Sequence, residues 1–291
     1  MAFLMHIGFD NTHRLSRKCY LFEYRGVRFR LVQNKSREYS DHLLTIIPEN
    51  DLAARARVFS AASEFGSALG WENGGRIAVW ECGGRGCPDN YSLRNAKPNI
   101  FTFRRIPFSG NVIGCGINRI PHIQTKSQRI ALGLFREANA SNNDYLSFLF
   151  FWQVLEVDGR DAKGFIDKTF RRNRDRLRIN SSDINNLPLG GRSLGQYLSD
   201  DCRHSIAHIK RKPGKKELDL DNFDERIRLT LSTRVIKSFA EYYIRQVLNL
   251  TDFLYLVRRK RGDFPIFADL QMLRNNRFEK AYPPLRRKNR L

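Results

Sequence analysis

The chain has 291 residues, of which 41% are hydrophobic and 12% aromatic, enough to bury a sizeable core and to form two domains. It contains no apolar run of about 18 residues that could span a bilayer, and its first residues lack the pattern of a secretory signal. We therefore expect a cytoplasmic protein that does not act in a membrane. The net charge of +21 favours a polyanionic partner such as RNA and excludes strongly basic ones.

The five cysteines give little sign of a metal site. They number 19, 82, 87, 115 and 202, and only Cys82 and Cys87 lie close together in the sequence. Zinc sites usually need a second such pair or two nearby histidines. We expect buried free thiols, no metal and no cofactor.

Residues 1–120 have the pattern of a strand-rich α+β module, whose role the sequence does not indicate. The stretch CYLFEYRGVRFRLV alternates apolar and polar residues around Arg25-Gly26, which predicts a hairpin. Further strands are expected in GGRIAVWECGGRG and NIFTFRRIPF. Between them, apolar residues from Leu52 to Ala62 recur at helical spacing, and Gly66 and Gly70 are expected to end that helix.

From about residue 126 to 250 the pattern changes to helical periods and predicts an all-α bundle. One amphipathic helix has a face of Ile130, Leu134, Phe135 and Ala138, and NDYLSFLFFWQVLEV is apolar nearly all round, as in a central helix. Further helices are expected at 161–174, from Ser193 to Pro213, and from about Thr233 to Leu248. The predicted fold class is therefore α+β, a strand-rich module followed by a helical bundle.

Residues 251–291 form a basic C-terminal extension. They contain 11 basic and four acidic side chains, including the runs RRKRG and RRKNR. This composition fits a solvated tail or a segment that binds nucleic-acid phosphates.

The stretch DDCRHSIAHIK, residues 200–210, contains the candidate site. On an α-helix His204 and His208 lie about 40° apart and Asp201 lies within about 20° of His208, where it could orient that histidine. Three interpretations stay open: a surface cation cluster with His204 paired to Asp200, a metal site with two histidine ligands, and acid/base chemistry on a phosphodiester. Arg203 lies about 140° from His208, so a two-fold partner with its own copy of the helix would bring the two groups together more easily.

Arg203-x4-His208, late in a helix of a bundle, resembles the RxxxxH motif of the HEPN superfamily (higher eukaryote and prokaryote nucleotide-binding domains). The surrounding IALGLFREANASNNDYLSFLFFWQVLE and FAEYYIRQVL are similar to the Apea-like and methylamine-utilisation-J-like branch, so the resemblance covers about 127–250. It implies a dimeric, metal-independent RNA endonuclease in which Arg203 and His208 are catalytic. His204 occupies a position that is commonly polar. Toxins silenced by nucleotide transfer carry a tyrosine where this chain has Lys210.

Such an enzyme would be a hydrolase in a toxin, stress-response or antiviral defence system. Its products would end in a 2′,3′-cyclic phosphate and a 5′-hydroxyl, because the attacking oxygen belongs to the same ribose. Lys210, Arg211 and Lys212 could guide the RNA backbone, or simply form a cationic helix end. The alternatives are a non-catalytic RNA-binding or ligand-sensing dimeric scaffold, with a regulatory partner or ligand at the N-terminal module, and nucleotide binding without cleavage.

Overall fold

The computed structural model of the protein describes residues 2–34, 39–48, 51–87, 114–207 and 222–256. The strands are β1 (Ala2–Asn11), β2 (Arg14–Leu15), β3 (Cys19–Tyr24), β4 (Val27–Val32), β5 (Asp41–Pro48), β6 (Ile77–Cys87), β7 (Gly114–Cys115), β8 (Arg119–Pro121) and β9 (Phe253–Tyr255). The α-helices are α1 (Leu52–Asn73), α2 (Lys126–Ala140), α3 (Asp144–Glu156), α4 (Ala162–Asn173), α5 (Ser181–Asn185), α6 (Leu194–Tyr197), α7 (His204–Ala207) and α8 (Phe223–Tyr242). The described residues form two compact units, one from 1–120 and 253–256 and one from 121–252.

The first unit is built on a five-stranded antiparallel sheet of order β3-β4-β5-β1-β6. The predicted hairpin is confirmed, because β3 and β4 pair from Cys19 with Val32 to Tyr24 with Val27. Its two turn residues, Arg25 and Gly26, have φ angles of 52° and 71°, the left-handed backbone that two-residue hairpin turns need. The expected strand in NIFTFRRIPF lies outside the described residues.

Helix α1 packs on one face of this sheet. Asp51 caps its start by accepting a hydrogen bond from the Ala54 amide, and Gly74, with a φ of 67°, ends it. The expectation that the helix ends near Gly66 and Gly70 was wrong, since it runs through both. A Cβ atom at Gly66 would lie 2.8 Å from a Val79 methyl group, so this glycine allows close packing of helix and sheet.

The core of this unit centres on Phe65 of α1. Its ring lies 4.7 Å from the ring of Phe22 and 5.9 Å from that of Phe9. Two histidines, His6 on β1 and His42 on β5, are also buried, with ring centroids 4.7 Å apart. Burial, followed by the charge of His42, lowers the pKa of His6 to about 4, and burial lowers the pKa of His42 as well. Both rings are therefore neutral at neutral pH.

The second unit is helical, which with the sheet of the first confirms the predicted α+β class. Helix α2 opens with a complete capping box between Thr125 and Gln128. Its buried face is shifted from the predicted one: Ala131, Leu132, Phe135 and Ala138 are buried, whereas Ile130 is 40% exposed. The buried stripe thus lies one position along from the predicted one, and Ile130 falls at its edge.

Helix α3 packs between α2 and α8. Phe151 of α3 meets Phe135 of α2 edge to face at 5.3 Å, and the Thr233 hydroxyl of α8 donates to the Asp144 carbonyl at 3.2 Å. Helix α8 begins about ten residues earlier than expected, because Asn222 caps it by accepting from the Glu225 amide. It continues into a π-helical turn, Tyr243–Val247. Within the described part of the chain, no helix combines the length and apolarity needed to cross a membrane.

Candidate functional site

Arg203 of the motif and the adjacent His204 lie where a π-helical turn meets an α-helix. A π-helical turn, Leu198–Arg203, follows α6, and α7 then starts at His204. His208 and the candidate RNA-guiding residues Lys210, Arg211 and Lys212 lie outside the described residues. The single 20-residue α-helix expected here is thus a chain of α, π and α turns as far as Ala207.

The start of this helical segment is fixed to α4. Ser193 is the N-cap and accepts from the Gln196 amide at 3.2 Å, while its own hydroxyl donates to Asp167 at 2.7 Å. The Gly195 amide donates to the other oxygen of the same carboxylate at 2.8 Å. A Cβ atom at Gly195 would lie 2.4 Å from the Lys163 carbonyl oxygen, so only glycine fits against α4 here.

Because of the π turn, the angles between side chains in an ideal α-helix do not apply to the residues before Arg203. The His204 amide donates to the carbonyl of Ser199, five residues earlier, which adds a residue to this turn. Leu198, Ser199 and Cys202 of the turn are buried. Inserted turns of this kind occur often at functional sites, because they re-aim the side chains that follow.

A largely buried arginine on α8 supports the π turn. Arg228 donates from Nη1 to the Tyr197 hydroxyl at 3.2 Å and to the Asp201 carbonyl and the Cys202 sulfur, both at 3.4 Å. Its Nε and Nη2 atoms donate to Glu225 at 3.0 and 2.6 Å. The guanidinium thus connects α8 to a carbonyl of the π turn, which the Ser205 hydroxyl also contacts at 2.5 Å.

The electrostatics of this network agree with a structural role. Burial would lower the pKa of Arg228, but Cys202, Tyr197 and Glu225 more than offset that effect, so the pKa is raised and the charge is permanent. Burial raises the pKa of Tyr197 to about 12 and also raises the pKa of the Cys202 thiol, so both stay neutral. Arg228 and Glu225 could not be identified from the sequence. Their spacing of three residues on a helix was the only signal, and it does not indicate burial.

Asp201 does not have the free carboxylate that the helical spacing suggested for orienting His208. Its Oδ2 atom lies 2.5 Å from Nη2 of Arg192, and Arg192 also lies over the Tyr197 ring at 5.6 Å. The ion pair fastens the π turn to the loop before α6. Whether Asp201 approaches His208 stays a prediction, because His208 lies outside the described residues.

Arg203 is half-buried, and no acidic partner for its guanidinium occurs among the residues that the structure describes. His204 follows it, with a side chain 48% exposed and Nδ1 3.7 Å from the Asp200 carboxylate. Within the described ranges, the structure therefore presents a guanidinium without an acidic counter-ion beside an exposed imidazole. The guanidinium of such a pair can bind an anion, and the imidazole can take part in proton transfer next to it.

No group of three or more histidine, cysteine or acidic side chains that could hold a metal occurs in the described ranges. His208, the second histidine of the acid/base interpretation, is one residue beyond the last described position of α7.

A protein-family model described as methylamine utilization protein MauJ matches residues 131–245, less than half of the chain. The match runs from α2 into the π turn after α8 and includes Arg203, His204 and His208. It confirms the similarity of the helical unit to methylamine-utilisation-J-like proteins. No curated protein and no solved structure matches the chain.

Proposed function

We propose that the protein is a metal-independent RNA endonuclease of the HEPN type that acts as a dimer. The observation that carries the proposal is Arg203, a half-buried guanidinium without an acidic partner in the described chain, held at the end of a braced π turn. Arg228, which braces the π turn, is paired with Glu225, whereas Arg203 has no acidic partner within the described ranges. Its guanidinium is therefore available to an external phosphate.

The chemistry divides between three side chains. Arg203 binds the scissile phosphate and stabilises the charge that develops on its oxygens. His208 transfers protons: the ribose 2′-oxygen loses its proton and attacks phosphorus, the bond to the 5′-oxygen breaks, and that oxygen takes up a proton. His204 provides a further hydrogen-bond donor beside the phosphate. The products carry a 2′,3′-cyclic phosphate and a 5′-hydroxyl.

The bracing of the motif supports this division. Catalytic groups must be held in place before the reaction, and the Arg228 network and the Asp201–Arg192 pair fix the turn that ends at Arg203. The MauJ match supports the assignment to the superfamily, since it contains the whole motif. Toxin, stress and antiviral roles follow from that resemblance alone.

The proposed dimer rests on the angle that the sequence predicts between the two catalytic residues. On an ideal α-helix, five steps would separate Arg203 from His208 by about 140°. A two-fold partner that presents its own copy would place the arginine of one protomer near the histidine of the other.

A non-catalytic RNA-binding or ligand-sensing dimeric scaffold is the second candidate. The observation that favours it is the pairing of His204 with Asp200, which fits a surface cation cluster. This pair is exposed and contributes little stability, about 0 to 1 kcal/mol, so it does not withhold His204 from a phosphate.

Cleavage of labelled tRNA and mRNA in EDTA tests the two candidates. We expect the wild type to cut, and Arg203→Ala and His208→Ala each to lose at least about 100-fold in rate. Arg129→Ala, at an exposed arginine of α2, is the matched control and should cut normally. Absence of cleavage by the wild type, at a concentration where it is dimeric, would favour the scaffold. Activity that EDTA abolishes and added metal restores would contradict both the mechanism and the metal-free assignment.

A further inference from the structure

A second basic site occurs in the helical unit, outside the motif. A hollow of about 40 Å³ is lined by Arg176, Arg178, Ser238, Glu241, Tyr242, Arg245 and Gln246, and we call it the arginine pocket. One water needs roughly 10 to 15 Å³ on this measure, so the hollow accommodates a few oxygen-sized groups, such as those of one phosphate. The motif at 203–208 contains none of these residues, although four of them lie in the stretch FAEYYIRQVL.

The backbone of the pocket is fixed on both sides. Arg176 closes a 3-10 turn (Arg174–Arg176) that follows α4, and the next residue, Leu177, is buried. The Ser238 hydroxyl of α8 donates to the Arg178 carbonyl at 2.9 Å. Arg245 comes from the π turn Tyr243–Val247. The backbone that carries these arginines is therefore fixed before any ligand arrives, which reduces the entropic cost of binding.

The charges of the pocket are unbalanced. Three guanidinium groups and one carboxylate, that of Glu241, line the same hollow. Arg176 and Arg178 are exposed, and within the described ranges neither has an acidic partner. Like charges in a shared hollow repel each other, and an anion bound between them removes that repulsion and forms charge-assisted hydrogen bonds.

The basic surface extends beyond the pocket. Lys168, Arg171, Arg172 and Arg174 are exposed along the end of α4 and the 3-10 turn. A single small anion would use only the pocket, whereas a chain of phosphates would use this strip as well. Tyr242, half-buried at the pocket wall, offers an aromatic ring on which a base can stack. These features favour a single-stranded nucleic acid over an acidic peptide, which has no base to stack.

We infer that the arginine pocket and the strip beside it bind the phosphodiester backbone of single-stranded RNA. The inference rests on the proposed function, and it assigns to the same substrate a second contact, away from the cleavage motif. Arg176 and Arg178 contact one phosphate, and the exposed cations of α4 contact its neighbours along the strand.

The test is RNA binding in the full-length His208→Ala background, which separates binding from cleavage. Fluorescence anisotropy of a labelled 20-nucleotide single-stranded RNA is followed against KCl concentration. Arg176→Gln/Arg178→Gln should weaken binding roughly tenfold and reduce the slope of log K against log salt by about 0.7, because the two arginines share one phosphate and each phosphate contact on a single strand contributes about 0.7. Lys126→Gln/Arg129→Gln on α2 removes the same charge from exposed positions and is the matched control.

Equal weakening in both double variants, or an unchanged salt slope in the pocket variant, would overturn the inference. Two competitors at matched ionic strength identify the ligand. Inorganic phosphate or polyglutamate that displaces RNA from the parent protein, but not from the pocket variant, would assign the pocket to a free anion or an acidic peptide instead. Lack of displacement beyond the salt effect supports RNA.

The result of the binding experiment can be interpreted independently of the cleavage assay. RNA cut by the wild type with normal binding by the pocket variant would remove only the pocket assignment. Impaired binding by the pocket variant, with no cleavage by the wild type, would keep the pocket and remove the proposed ribonuclease.

Discussion

At the scale of single residues, Arg228 is expected to contribute to the stability of the fold. Its guanidinium side chain is 14% exposed and is paired with a Glu225 side chain that is 10% exposed. Arg228→Met should lower the free energy of unfolding by about 3 kcal/mol, because it leaves a buried carboxylate unpaired. Urea unfolding of the full chain measures this value. Arg226→Met, at an exposed neighbour on the same helix, should change it by less than about 0.5 kcal/mol. Similar values for the two variants would show that the network does not stabilise the fold.

The buried histidine pair predicts acid sensitivity. His6 has a pKa of about 4 in the folded chain, against an ordinary 6.5 in the unfolded chain. Below pH 6.5 the unfolded state therefore binds more protons, so the stability present above that pH is lost as pH falls towards 4. The loss from His6 should reach about 3 kcal/mol. The lowered pKa of His42 acts in the same direction.

Urea midpoints between pH 7 and pH 4 check this expectation, with His6→Gln as the comparison. The variant should lose less stability over that range than the wild type, although it starts lower. Parallel curves for the two proteins would mean that His6 is not responsible for the acid sensitivity.

The candidate site could be predicted only in part at this scale. Arg203 and His204 can be proposed as site residues from their types and spacing, and this assignment stays a prediction. Arg228 and Glu225 were missed, since their role depends on burial against a segment about 25 residues away in the chain. The pairing of Asp201 with Arg192 was missed for the same reason.

At the scale of elements, the contact of α6 with α4 can be tested through a glycine. Gly195→Ala should destabilise the protein by about 1 to 3 kcal/mol and reduce cleavage, because the new methyl group would meet the Lys163 carbonyl at 2.4 Å. Gly133→Ala on α2 is the matched control, since nothing lies within 4 Å of its added Cβ atom. That change should raise stability by about 0.5 to 1 kcal/mol. Thermal unfolding compares the two, and a tolerated alanine at 195 would refute the close contact.

The sequence predicts most elements but not their irregularities. Alternation and turn residues located the β3–β4 hairpin, and helical periods located α2, α3 and α4. The π turn Leu198–Arg203 could not be found in this way, because a period of 3.6 residues has no place for an added one. The expected helix end at Gly66 was wrong for a related reason. Glycine weakens a helix locally, and the close approach of the sheet that favours glycine at this position is a tertiary feature.

At the scale of the whole molecule, the α+β class was predictable because residues 1–120 alternate and residues 126–250 follow helical periods. The proposed cleft between two copies rests on the family resemblance and on the angle expected between Arg203 and His208 on an ideal α-helix, since a single chain carries no record of its symmetry.

Mixing two inactive variants tests the proposed cleft. In a cleft that combines the arginine of one protomer with the histidine of the other, a heterodimer of Arg203→Ala and His208→Ala has one intact site. An equimolar mixture should recover about a quarter of wild-type cleavage after subunit exchange, because half of the dimers are mixed and each has one of two sites. No recovery, with exchange verified, would place both groups in one protomer.

The central claim is that Arg203 and His208 cleave RNA through its own ribose, without a metal ion. Chemical identification of the RNA ends produced in EDTA tests this most directly. The account predicts 2′,3′-cyclic phosphate and 5′-hydroxyl ends, which are absent with His208→Ala. Fragments with 5′-phosphate and 3′-hydroxyl ends would contradict it, because their formation requires attack by water rather than by the ribose.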